Sequence, residues 1–296
     1  MGLFRKNEIV IKEFKSIEGI SDILTENRKS RYTKRERKIL LHQMQITQEK
    51  EKTLMAVRLK DADSGLNAKV MEKAPKKVIE KVRAALIKGF ILIFTKGTPA
   101  IEKVSGLKKK QMKAEIDIGA LEKGISLGAI ERVDEGAAGT ASTNKEITSV
   151  EGAVMGLFGW GPQDAPVFLS VILKSIYEVA VSYGFDYTSN EERRYIIALM
   201  NGALADGFDK VPNSEKCDEI GIMTDLGKGN NEELTEEELQ SAAENIADRI
   251  LVLKVLMMIK IAGAFSAATN YKMVKQVTEY AKVKYRQRFL FRLLMR

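Results

Sequence analysis

Hydrophobic positions along this chain recur at steps of three and four residues, and that spacing predicts helices. Leu41, Met44, Gln48, Met55 and Leu59 mark one helix over 37–60. Pro75 opens a second, since proline is tolerated in a first helical turn. It runs through Val78, Val82, Ala85, Leu86 and Phe90. Ile91–Phe94 is strand-like in composition, but the upstream period continues into it and predicts helix. Gly97-Thr98-Pro99 then breaks the run. A glycine-spaced helical pattern follows over 112–130, and Pro166 begins a helix through Val171, Ser175 and Val179. Gly184 stands where a left-handed residue ends such a helix.

Two helix starts carry side-chain signals. Ser189 and Glu192 have capping-box spacing, as do Thr235 and Glu238. In that device the hydroxyl accepts from the amide three residues on, and the carboxylate reaches back. Behind Thr235, the positions Leu239, Ala243, Ile246, Ile250, Leu253 and Met257 form one long apolar stripe. Between the periodic stretches, Asp61–Gly65 reads as a turn and 135–149 as a small-residue linker. Residues 212–235, rich in acids, glycines and asparagines, read as an exposed acidic loop. The fold class expected is all-α: a multi-helix globular bundle over 61–296, preceded by a basic, charge-rich helical arm over 1–60.

Composition agrees with a packed chain. Apolar residues make up 45% and charged residues 30% of the 296 positions, with only five prolines and 7% aromatics. The formal charge of +8 favours anionic partners without choosing among them. It is unevenly placed. Residues 28–38 hold seven bases and one acid, 215–248 eleven acids and two lysines, and 272–296 eight bases and one acid. The first six residues lack the apolar run of a signal peptide, and a lone cysteine, Cys217, leaves no intrachain disulfide. The two most apolar stretches, 165–183 and 250–268, each contain two charges. A charge near a membrane-helix centre costs about 2.5–3.5 kcal/mol, so both are expected to be core helices. The expected location is the cytoplasm, including the inner face of the cell membrane.

Catalytic chemistry finds few residues to use. His42 is the single histidine, in a charged helix. Gly221–Lys228 fails the spacing of a phosphate loop. Asp61, Asp63 and Glu72 imitate part of a calcium loop, but Leu66 takes the place of its turn glycine. Asp186, Asp206 and Asp209 have no visible base or nucleophile partner. No catalytic residue, metal ligand or cofactor is assigned. The basic patch lacks the interleaved aromatics of a single-strand platform, which argues against nucleic acid.

The segment Arg288-Phe289-Leu290-Phe291-Arg292-Leu293-Leu294 is apolar around most of a helix and punctuated by arginines. It is read as a contact for an anionic membrane surface or a membrane protein complex. Docking on the chain's own core is the competing reading. Small residues four apart, Gly124 with Gly128 and Gly152 with Gly156, mark sites of close helix approach. An apolar ligand held among the helices of 112–183 is the alternative function.

Two blocks resemble a known family. One holds Lys174-Ser175-Ile176, Tyr183-Gly184-Phe185-Asp186 and Glu191-Glu192-Arg193. The other holds Gly263-Ala264, Asn270, Tyr280-Ala281 and Tyr285-Arg286-Gln287-Arg288. Together they resemble the EcsC family over about residues 75–290. The resemblance implies a helical bacterial protein with no established activity, and it supplies no catalytic residues. It also implies an accessory role near a membrane, because the family takes its name from a gene beside an ABC transporter. The positions carrying the match are Ser175, Tyr183, Gly184, Asp186, Arg193, Asn270, Tyr280 and Arg286. The residues themselves point to scaffold roles: Asn270 and Tyr280 as buried polar groups needing partners, Asp186 accepting from Arg193, and Arg286 and Arg288 meeting core acids or lipid phosphate.

Overall fold

A computed structural model describes residues 31–61, 76–96, 106–142, 165–260 and 267–296. Among the described residues there are nine α-helices and no strand: α1 (Lys34–Asp61), α2 (Lys76–Lys96), α3 (Leu107–Glu122), α4 (Leu127–Ser142), α5 (Ala165–Ser182), α6 (Asn190–Leu204), α7 (Lys210–Asp225), α8 (Glu236–Lys260) and α9 (Ala267–Met295). The chain is all-α, as its periodicity predicts.

Two helices form the centre. In α5, Phe168, Leu169, Ile172, Leu173, Ile176, Val179 and Ala180 are completely buried, and α2, α3, α4 and α9 pack around it. Among the described residues α5 is the one helix long and apolar enough to cross a membrane, and 72% of it is buried inside the bundle. Of the second apolar stretch, 250–260 belong to α8 and 267–268 to α9, and 261–266 lie outside the described residues. Helix α9 has 29 residues and touches α1, α4, α5, α6, α7 and α8.

The helix ends follow local chemistry. Gly184 adopts φ +76° after α5. The Phe185 amide donates to Ala180 O at 2.9 Å and the Gly184 amide to Val181 O at 3.0 Å. That pair of bonds is the Schellman closure, and buried Phe185 seals it. Before α8 the capping box is complete: the Glu238 amide donates to Thr235 Oγ1 at 3.2 Å, and Glu238 Oε2 accepts from the Thr235 amide at 2.9 Å. Before α6 only half forms. Ser189 Oγ accepts the Glu192 amide at 3.3 Å, but the Glu192 carboxylate turns inward to Arg288.

Five expectations are corrected. Residues 112–130 are not one helix: α3 stops at Glu122, and Ser126, whose oxygens accept from the Ala129 and Ile130 amides, starts α4. Gly124 lies in the turn between them, and a Cβ added to exposed Gly128 would meet nothing within 4 Å, so this pair does not bring helices together. Gly152 and Gly156 lie outside the described residues. The linker expected from 135 begins as helix, with Ala137 buried. Residues 212–225 of the expected acidic loop belong to α7, leaving 226–235 as the loop. Finally, the described part of the N-terminal arm is not separate: α1 lies along α9 with Leu40, Met44, Thr47, Glu51 and Met55 buried.

Candidate functional site

The most concentrated chemistry lies where α9 meets α1, α4, α6 and α7. Lys284, Arg288 and Arg292 are four residues apart, so they form one stripe of α9. Arg286 projects from the other side. On α7, Ser214, Cys217, Gly221 and Asp225 advance by helical steps toward that stripe. Gly221 is needed there: a Cβ would come within 2.8 Å of Tyr195 and 2.9 Å of Arg288.

Lys284 is fully buried, with its ammonium 2.5 Å from Glu51 Oε1 on α1 and 2.6 Å from Asp218 Oδ1 on α7. Glu51 also accepts from Ser214 Oγ at 2.9 Å and from Gln287 Nε2 at 2.6 Å. Tyr280 donates to Ser214 Oγ at 3.0 Å. Two carboxylates therefore share one ammonium in the interior. Burial, opposed by Lys284 and reinforced by Glu51, pushes the Asp218 carboxyl up to about 7. Burial also acts against the Glu51 carboxylate, but Lys284, Gln287 and Ser214 outweigh it and hold its pKa below the usual value. For Lys284 burial is likewise overcome, by Asp218 and Glu51, so the ammonium keeps its proton far above its ordinary range.

One turn on, Arg288 grips Glu192 of α6 with two parallel bonds, 2.7 and 3.0 Å, and Asp225 of α7 with two more, 2.9 and 2.8 Å. Its guanidinium lies 3.9 Å from the Tyr195 ring centroid and 4.4 Å from that of Phe185. Arg292 donates to Asp225 Oδ1 at 2.7 Å. The planar fork of arginine suits this double carboxylate grip and the stacking above it. Arg286 meets Asp134 of α4 at 2.9 Å and, on α1, Gln43 Oε1 at 2.7 Å and the Thr47 hydroxyl. Tyr183 donates to the same Asp134 at 2.8 Å.

A recess of about 30 Å³ opens beside this seam, lined by Asp218, Asp225, Gln48, Gln287, Arg288 and apolar side chains. It has room for water-sized guests and is far below the several hundred Å³ of a small-molecule site. Cys217, completely buried nearby, has its thiol pushed up to about 12 by burial, so it is no nucleophile at neutral pH. Among the described residues no group of three or more His, Cys, Asp or Glu is placed to hold a metal ion.

A second feature lies on the surface. Helix α3 buries Leu107, Ala114 and Leu121 and turns Lys110 toward Glu178 at 2.7 Å. Its outer face carries Met112 and Ile116, 65% and 73% exposed. Exposed Lys108, Lys109, Lys113 and Lys123 frame them.

The expected membrane-contact segment lies elsewhere than predicted. Phe289, Leu290, Phe291, Leu293 and Leu294 are buried in the core, Arg288 is 5% exposed, and Arg292 is tied to Asp225. The apolar side chains gain more inside the bundle because acids from α6 and α7 are present to neutralise the arginines. Two of the acids that lacked a visible partner in the sequence have local ones. Asp186 accepts from the Thr188 amide and hydroxyl in its own turn, and exposed Asp209 lies 3.8 Å from Arg249. His42 is exposed on α1.

The EcsC protein family matches residues 38–290. The chain belongs to the EcsC family. It is also similar to an uncharacterised protein of Bacillus subtilis (strain 168), YdbA, at 25% identity over 166 residues. That stretch is 53% of this chain and 57% of the relative, so the match spans little more than half of that protein's length. No solved structure matches.

The residues carrying the EcsC resemblance divide by role. Tyr183, Tyr280 and Arg286 enter the polar seam. Ser175 hydrogen-bonds back to Ile172 O within α5, and Gly184 closes that helix. Arg193 donates not to Asp186, as its position suggests, but to Phe94 O, and lies over the Phe94 ring. Asn270 is buried. Sequence reasoning missed Glu51, Asp134, Asp218 and Asp225. An acid of this kind is invisible until the partner cation, 152 residues away for Asp134 and Arg286, is known to face it.

Proposed function

We propose that this EcsC protein is a peripheral accessory protein of an anionic membrane surface, attached through the outer face of α3. The observation that carries this reading is the pairing of Met112 and Ile116, both strongly exposed, with four surrounding lysines. Water penalises two large apolar side chains offered side by side. A lipid interface accepts them, with a gain of up to roughly 1.5–3 kcal/mol for each side chain fully buried. Each cation near anionic headgroups contributes about 1 kcal/mol more. Together these favour reversible attachment rather than insertion. A role beside a membrane transport complex fits that position.

Flotation on vesicles of phosphatidylglycerol and phosphatidylcholine tests the reading. The wild type is expected to rise with the anionic vesicles at low salt, to rise less at high salt, and to stay behind with pure phosphatidylcholine. M112S/I116S and K109E/K113E are each expected to lose at least tenfold in bound fraction while keeping the wild-type helical circular dichroism. Wild-type protein remaining unbound on anionic vesicles, or variants that bind equally, would overturn the proposal.

A further inference from the structure

The Glu51–Lys284–Asp218 centre does more than bind helices together. Along the Lys284–Arg288–Arg292 stripe, four carboxylates (Glu51, Asp218, Glu192 and Asp225) face three cations. The Arg288–Glu192–Asp225–Arg292 half is balanced. The other half has two acids and one base, so full ionisation leaves one uncompensated negative charge. A buried unpaired charge is costly, and binding a proton removes it.

The geometry decides where that proton resides. Glu51 has a 1% exposed side chain and three donors: Lys284, Ser214 and Gln287. These donors favour its charged form. Asp218 has one donor in Lys284 and keeps 15% exposure, where it lines the recess. It is both the less supported carboxylate and the one a water molecule can reach. The other groups acting on it are Glu215 and Cys217 on its own helix, Tyr195 on α6, and Tyr280 and Arg288 on α9. The thiol and both phenols are neutral at physiological pH, because burial raises all three.

We propose that this centre is a proton-operated clamp on α1: a proton on Asp218 neutralises the junction and seats the helix, and its loss sets Asp218 against Glu51 and loosens that seating. The bond affected is the ion pair across the three helices. Asp218 gives its proton to water in the recess, and Lys284 then holds two full negative charges. Helix α1 is the element that can respond. Its remaining polar ties are Gln43 and Thr47 to Arg286, Glu36 to the Ile125 amide near its start, and a 3.9 Å ion pair from exposed Lys50 to Glu279. In contrast, α7 also holds Arg288 and Arg292 through Asp225. This inference is independent of the membrane reading.

Hydrogen exchange with mass spectrometry on the full chain from pH 5.5 to 8.5, corrected for intrinsic rates, tests the clamp. Peptides within 40–56 are expected to lose protection at least tenfold as pH rises through about 7, while peptides within 168–181 stay constant. D218N keeps the oxygen that accepts from Lys284 and carries no charge. It should abolish the dependence. E51Q removes the opposing charge and should move the midpoint to lower pH. Flat protection in the wild type, or an unchanged dependence in D218N or E51Q, would overturn the proposal.

Discussion

Arg288 and Glu192 meet through two parallel hydrogen bonds of 2.7 and 3.0 Å, with both side chains 5% exposed or less. Ninety-six residues separate them, so the pair ties the end of α9 to the start of α6. The same guanidinium holds Asp225 of α7. Three elements thus depend on one side chain.

Removing that side chain strands two buried carboxylates. Arg288→Met is expected to destabilise the fold by about 3–5 kcal/mol, the cost of breaking a buried pair from one side. Urea unfolding followed by circular dichroism measures it. A loss below about 1 kcal/mol would mean that Glu192 and Asp225 find other partners.

The Asp218 carboxyl, at about 7, is raised above its ordinary 3.8. The folded state therefore holds more protons than the unfolded chain between about pH 4 and 7. This group's contribution is fully present below the unfolded value and is lost as pH rises through the folded one. Glu51, with its pKa lowered, acts oppositely, and only in the more acidic range below its ordinary value of 4.5. The stability of wild type relative to D218N is therefore expected to fall from pH 5 to about 7 and to level off by pH 8. Equilibrium unfolding of both proteins across that range checks the sign.

Glycine within a helix normally gains up to about 1 kcal/mol on replacement by alanine. Gly202 should do the reverse. A Cβ there would collide with the Tyr280 hydroxyl, which is fixed by Ser214. Gly202→Ala is expected to cost about 1–3 kcal/mol, as over-packed cores do. The exposed glycine Gly128 has open space instead, and Gly128→Ala is the stabilising control. Melting temperatures of the two should move in opposite directions.

Cys217 should be silent toward iodoacetamide at pH 8 in the folded protein and react at once in urea. Its thiol is completely buried and pushed up to about 12. Mass spectrometry of the alkylated chain reads both states; appreciable labelling without denaturant would show that α7 opens readily.

Much of this fold is written in the hydrophobic period, and its failures have identifiable causes. The start of α8 was legible because both halves of its capping box lie within four residues. The cap of α6 was half legible because Glu192 is taken by a residue far along the chain. Helix α7 escaped notice for a different reason. Its buried stripe, Lys210, Ser214, Cys217 and Gly221, has helical spacing but no large apolar residue. Periodicity in hydrophobicity cannot find a helix that buries polar and small groups. The segment around Arg288 was recognised as apolar with cations, but its environment was not. A cation beside leucines suits lipid phosphate and an internal carboxylate equally, and only the positions of Glu192 and Asp225 distinguish them.

The seam along α9 also sets an order of assembly. Carboxylates on α1, α4, α6 and α7 all await cations that are synthesised after them, at 284–292. A nascent chain that has not yet released those residues from the ribosome holds a surplus of acid where its interior must close. Completion of the bundle therefore waits for the arrival of α9.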